Sequence, residues 1–200
     1  MRIIGLTGPT GSGKSVVSYA LSQMGIYIVD ADKIGHDIIL KGKEAYKELK
    51  EYFGDEIIDE NGEIIRRKLG SIVFSQGGEK LEFLNSCTHK YIYKEMKDDI
   101  INAEKNGHEI VVIDAPLLIE GKFITLCNEV WVVYASDETR AQRIMARDGI
   151  TKEEALNRMK QQKGYDVYNT YADVIIDNNK GIDDLINQVK ILLDKPGDNK

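Results

Sequence analysis

The chain has 200 residues, 42% of them apolar and 30% charged, with a formal net charge of −6. That length suits one domain, or one core with an inserted lobe, and it buries enough surface to need no disulfide staples. The acidic balance excludes a general polyanion binder, so nucleic acid is not an expected partner and any phosphate site must be locally basic.

Taken in chain order, residues 2–7 read as a short apolar strand that begins too early for a secretory signal to precede it. Gly8-Pro9-Thr10-Gly11-Ser12-Gly13-Lys14-Ser15 follows, a complete G-x-x-x-x-G-K-[ST] phosphate loop. Its glycines let the backbone turn tightly with N–H groups inward, and a helix over 14–24 adds its positive dipole end. Lys14 is placed to reach the β/γ-phosphates, and the Ser15 hydroxyl to ligate Mg²⁺. A second strand over 26–30 ends in Asp30-Ala31-Asp32. In an open parallel sheet, ligands gather beyond the carboxyl ends of strands, so Asp32 is a candidate base or metal-water ligand.

About 78 residues then separate Asp30 from the next strand at Glu109, far more than one crossover needs. The stretch is mostly helical in pattern, with helices expected over 79–86 and 89–105 and a turn at Asn61-Gly62. It reads as a helical substrate lobe, about 33–105, inserted into a core formed by 1–32 and 106–194. Arg66-Arg67 after the turn is a candidate pair for a substrate phosphate, and His89 opens the long second helix. The strand over 109–114 is apolar throughout, as expected of a strand covered on both faces, and ends in Asp114-Ala115-Pro116. Asp114 is a candidate for Mg²⁺ through a water. The apolar run Ile110 to Ile119 is broken by Asp114 and Pro116 and is too short to span a bilayer, so no membrane partner is expected. A strand over 129–135 leads into a helix over 137–148 whose Arg140, Arg143 and Arg147 share one face by spacing. That face is either a solvated basic surface or part of a lid, about 140–170, closing over phosphates. Helices over 151–162 and 182–194 flank a last strand over 173–177, and residues 195–200 form a tail expected to fray. Cys87 and Cys127 have no metal-ligand spacing and read as reduced thiols. The alternation of strands and helices gives an α/β fold: a P-loop NTPase-type parallel five-stranded sheet flanked by helices.

In this order the motifs resemble the dephospho-CoA kinase family over residues 1–193. The resemblance rests on Gly5-Leu6-Thr7-Gly8 with Gly11–Ser15, then Val29-Asp30-Ala31-Asp32, Arg67 before Val73-Phe74, and Leu84-Asn85 with His89. It continues with Asp114-Ala115-Pro116-Leu117-Leu118-Ile119-Glu120, Arg143, Arg147-Asp148-Gly149, Gln162, Ala172-Asp173 and Ile176-Asp177-Asn178. The resemblance implies transfer of the ATP γ-phosphoryl group to the ribose 3′-hydroxyl of dephospho-CoA, with Mg²⁺, in a cytoplasmic enzyme that is a monomer or weak homo-oligomer. It implies Asp32, Lys14 and Arg147 as catalytic residues. ATP is expected at Gly11, Ser12, Gly13, Lys14, Ser15, Val16, Arg143 and Asn178, and the acceptor at Asp32, Arg67, His89, Pro116 and Leu117. The chain departs from the family pattern at Pro9, at Lys90 after His89, at Tyr168 where a Lys is usual, and at Lys180. A nucleoside or nucleoside-monophosphate kinase shares the core and differs in the inserted lobe. A GTPase-like switch fits poorly: Asp32-Lys33-Ile34-Gly35 falls too early, and Asn179-Lys180-Gly181-Ile182-Asp183 is one residue too long for N-K-x-D.

Overall fold

The computed structural model describes residues 1–76 and 78–194; the tail expected to fray, 195–200, lies outside the described residues. Five strands, β1 (Arg2–Thr7), β2 (Tyr27–Asp30), β3 (Ile110–Asp114), β4 (Glu129–Tyr134) and β5 (Val174–Asp177), form one sheet in the order β2-β3-β1-β4-β5. The pairs β1–β3, β1–β4 and β4–β5 are parallel, with Leu6 opposite both Asp114 and Trp131, and Tyr134 opposite Asp177. This register brings Thr7, Asp114, Tyr134 and Asp177 to the carboxyl edge of the sheet, where the phosphate loop leaves β1.

The strands are apolar because both faces are covered. Ile4, Leu6, Val112, Trp131, Val133 and Ile176 from the sheet pack with Val17 and Leu21 of α1 (Lys14–Gln23) and Leu185 and Val189 of the last helix (Ile182–Leu193), all essentially excluded from water. Burying side chains of this size is worth about 1.5–3 kcal/mol each.

The chain divides into two compact units. The first comprises Met1–Val29 and the chain from Ile100 onward; the second is Asp30–Asp99. The second unit carries α2 (Ala31–Asp37), α3 (Glu44–Phe53), α4 (Arg66–Gln76) and most of α5 (Gly78–Lys105). It has its own core of Ile38, Ala45, Leu49, Phe53, Ile57, Leu69, Val73 and Cys87. The turn at Asn61-Gly62 is present: Asp59 Oδ1 accepts from the Asn61 and Glu63 amides at 2.9 and 2.8 Å, and Ile58 bridges to Ile64.

Two expectations are corrected here. Residues 79–86 and 89–105 are not separate helices but parts of the single α5, so His89 lies inside a helix instead of opening one. The Thr88 hydroxyl donates back to Leu84 O at 2.8 Å, a bond made without leaving the helix. Lys90, where the chain departs from the family pattern, donates to both oxygens of Glu48 at 2.8 and 2.7 Å. Second, only Asp30 of Asp30-Ala31-Asp32 belongs to the strand: β2 ends there, as expected, and Ala31 begins α2. Asp30 caps α2, accepting from the Lys33 amide at 2.9 Å, and Asp32 stands in that helix's first turn.

In the first unit, α6 (Asp137–Asp148), α7 (Lys152–Lys160) and α8 (Tyr165–Tyr171) run between β4 and β5, and α9 (Ile182–Leu193) follows. Ser136 caps α6 through the Thr139 amide at 3.2 Å, and Thr151 with Glu154 forms a capping box on α7. Both cysteines are free, and burial pushes the Cys87 thiol up to about 11 and the Cys127 thiol up to about 12.

Candidate active site

The phosphate loop joins β1 to α1 through three glycines at positive φ: Gly8 (156°), Gly11 (79°) and Gly13 (99°). Gly13 is the cap of α1 in the left-handed region, which L side chains adopt at a cost. A Cβ there would also stand 2.0 Å from Asn178 Nδ2. The first turn of α1 leaves backbone N–H groups without intrahelical partners, and with the dipole this makes a seat for an anion.

Lys14 reaches across to Asp114 at the end of β3 and forms an ion pair with its Oδ1, both side chains only 14% exposed. Ser15 and Val16 face solvent in the same turn. The Ser12 hydroxyl is fully buried and has no hydrogen-bond partner among the described residues. The chain after β3 passes beside the loop's strand: Thr7 Oγ1 donates to Pro116 O at 3.4 Å, and Leu117 is exposed.

The three arginines of α6 part company. Arg140 is 5% exposed and donates from Nε to Thr10 O at 2.9 Å. Arg143 donates to Gly11 O at 3.3 Å, Ser12 O at 3.2 Å and Asn178 O at 2.9 Å. Arg147 is exposed, and its guanidinium forks onto Asp148 at 2.7 and 2.9 Å. Arg158 of α7 holds the same carboxylate at 2.5 Å. The hydrogen bond from Arg147 holds the Asp148 carboxyl below the usual carboxylate range and in return raises Arg147. The face read as either solvated or lid-forming is thus split: two guanidiniums turn inward to the loop and one outward.

Asn178, just past β5, is buried, and its Nδ2 donates to Ser12 O at 2.8 Å. Gln162, after α7, accepts from the Thr10 amide at 2.8 Å. Tyr168 is buried in α8, where loss of water and then the nearby Glu120 charge raise its phenol. Glu120 lies 3.6 Å from Lys163 Nζ. The structure therefore gathers Gly8–Ser15, Asp114, Arg143 and Asn178 in the first unit. Arg140 and Gln162 join them; neither was assigned a site role by itself, although Arg140 shared the candidate lid face and Gln162 was among the residues carrying the resemblance.

The other candidates belong to the second unit. Asp32 is exposed in the first turn of α2. Arg67 is exposed in the first turn of α4, where its neighbour Arg66 donates to His36 O at 3.1 Å. His89 is half-buried on α5. Among the described residues no cluster of His, Cys, Asp and Glu forms a metal site, and no helix is long and apolar enough to cross a membrane.

Comparison with known proteins adds to this geometry. The dephospho-CoA kinase family model matches residues 2–184. The chain is 43% identical over 195 residues to a dephospho-CoA kinase of Carboxydothermus hydrogenoformans, covering 98% of this chain and 94% of that one. Among solved structures, a Thermus thermophilus protein superposes with a TM-score of 0.81 at 29% identity, covering 96% of each chain. A dephospho-CoA kinase from Campylobacter jejuni superposes with a TM-score of 0.71 at 26% identity, again over 96% of each chain.

Proposed function

The chain belongs to the dephospho-CoA kinase family, and from that premise we propose that it transfers the γ-phosphoryl group of ATP to the ribose 3′-hydroxyl of dephospho-CoA, giving CoA and ADP. The observation that carries the reading is the phosphate loop with Lys14 drawn onto Asp114, set in a chain matched by the family over residues 2–184. A cytoplasmic location goes with it.

The chemistry divides among the residues as follows. Loop amides and the α1 dipole hold the β- and γ-phosphates, and Lys14 exchanges Asp114 for the phosphate oxygens, where charge grows in the transition state. The Ser15 hydroxyl and, through water, the Asp114 carboxylate would hold Mg²⁺; both are the hard oxygen donors this ion takes. When bound, the ion screens charge on the β- and γ-phosphate oxygens. The 3′-oxygen bonds to the γ-phosphorus as the bridging P–O bond to the β-phosphate breaks, and the hydroxyl proton passes to the acceptor carboxylate. We assign that carboxylate to Asp32. It stands in the helix that follows β2, and β2 is one strand away from β1 with β3 between them. Asp30, the alternative, is engaged in capping α2. The second unit would carry acceptor specificity, with Arg67 and His89 on it and Pro116 and Leu117 of the first unit as further acceptor contacts.

Arg147 serves the transition state. Its guanidinium lies at the end of α6, next to the left-handed Gly149 (φ 65°), with Asp148 as its present partner. Closure of the part of the 140–170 segment that lies beyond Arg143 would exchange that carboxylate for the transferring phosphoryl oxygens. Arg147→Ala is expected to lower kcat by about 10²-fold or more with a smaller change in ATP affinity. Loss of ATP affinity at constant kcat would make Arg147 a ground-state contact instead.

The test of the function is the product. ATP and dephospho-CoA should yield a ribose 3′-phosphomonoester, identified by mass and by release of phosphate with a 3′-specific nucleotidase. A phosphate at another position, or no transfer, would overturn the reading.

A further inference from the structure

We propose that Arg143 and Asn178 are positioning residues that serve ATP through the phosphate loop without touching the nucleotide. This rests on the phosphoryl-transfer reading above and deepens it. The resemblance placed both residues among ATP ligands, yet their side chains are committed elsewhere. Three successive loop carbonyls accept side-chain donors from one side: Thr10 O from Arg140 Nε at 2.9 Å, Gly11 O from Arg143 at 3.3 Å, and Ser12 O from both Arg143 at 3.2 Å and Asn178 Nδ2 at 2.8 Å. Arg143 also donates to Asn178 O at 2.9 Å, so α6 and the end of β5 act as one unit on the loop.

The consequence follows from peptide geometry. A trans peptide is planar, with its C=O and N–H pointing in opposite directions. Drawing Thr10 O and Ser12 O toward α6 and β5 therefore aims the amides of Gly11 and Gly13 the other way. An anion-binding nest needs its N–H groups aimed before the ligand arrives, because turning them afterwards subtracts from affinity. Gly13 fits the same scheme, since a Cβ there would collide with the Asn178 amide at 2.0 Å. The fork geometry of a guanidinium spans several acceptors at once, which an ammonium does not reproduce.

Equilibrium titration of folded wild type, Asn178→Ala, Arg143→Lys and the double variant with ATP and with inorganic tripolyphosphate tests the proposal. Each single variant should weaken binding about tenfold or more. The factor should be the same for ATP and tripolyphosphate, because only the phosphate nest is disturbed. The double variant should lose less than the product of the two single losses, because both residues act on Ser12 O. The KM for ATP should rise more than kcat falls. A loss for ATP with unchanged tripolyphosphate binding would overturn the proposal in favour of a contact to the nucleoside. Wild-type affinity in Arg143→Lys would overturn it in favour of charge alone, and fully multiplicative losses would overturn the shared action. Should Asn178→Ala fail to fold, Arg143→Lys decides by the same comparison of the two ligands. A wild type that binds neither ligand would remove the phosphoryl-transfer reading itself, and the proposal with it.

Discussion

Lys14→Ala is expected to abolish turnover in a protein that still folds. Lys14 is the one loop side chain whose charge projects past the backbone nest toward the sheet edge, where it pairs with Asp114. In the working enzyme that charge is needed most when the γ-phosphoryl group is in transit, since phosphoryl transfer leaves the protein little to do beyond positioning and charge stabilisation. Removing one such stabilising group costs about 10²–10³ in rate in enzymes that rely on preorganised donors. Here the loss should be at least that, because the alanine also leaves Asp114 unpaired beside the phosphates, adding repulsion where attraction was. Both side chains are only 14% exposed, so removing Lys14 leaves a largely buried carboxylate without its cation and lowers stability as well, and the rate is read on protein shown to be folded. Circular dichroism and thermal melting check the fold, and coupled ADP release checks the rate. Near-normal turnover in folded Lys14→Ala protein would remove the phosphate-loop reading.

The second large effect concerns the acceptor side. Asp32→Asn keeps size and hydrogen bonding but removes the carboxylate proposed as the base. It should lower kcat by about 10²–10⁴-fold while both substrates still bind. A ribose hydroxyl is a poor nucleophile, and its proton must leave as the new bond to phosphorus forms. The control is built into the same helix start. Asp30 accepts the Lys33 amide as the cap of α2, and asparagine caps as well as aspartate, so Asp30→Asn should leave fold and turnover near normal. If Asp32→Asn kept normal turnover and Asp30→Asn lost it, the two roles would be exchanged. If both kept it, general-base catalysis from this segment would be wrong.

The fold was largely legible because parallel strands covered on both faces announce themselves as apolar runs. Ile110-Val111-Val112-Ile113 and Val130-Trp131-Val132-Val133 became β3 and β4 with shifts of one residue at most, and the loop's glycine spacing fixed the β1–α1 junction. The errors have a common physical origin. Asp30-Ala31-Asp32 carries two acids where a strand ends, which suits a longer strand and a capped helix equally; the Asp30–Lys33 bond marks where the helix takes over. Thr88 and His89 look like a break because such residues compete with the helix through their side chains, but the Thr88 hydroxyl bonds back within its own turn.

At the site, the placement of Lys14, Ser15 and Asp114 could be read, because the loop's spacing sets the first two at the start of α1 and the parallel sheet sets the third at its carboxyl edge. The division of labour among Arg140, Arg143 and Arg147 could not. Spacing puts all three on one side of α6, but which of them turns inward depends on the loop carbonyls and on Asn178, more than thirty residues further along the chain. Arg140, Arg143 and Asn178 are bound to the loop backbone, and the loop's polarity depends on tertiary contacts that no local pattern encodes.

The most direct measurement is the rate of ADP release with dephospho-CoA, AMP and uridine offered separately as acceptors at saturating ATP. Rapid release is expected with dephospho-CoA, dependent on Lys14 and Asp32, and rates with AMP and uridine close to background hydrolysis. Equal or faster release with AMP or uridine would contradict it and make the chain a kinase of another small acceptor.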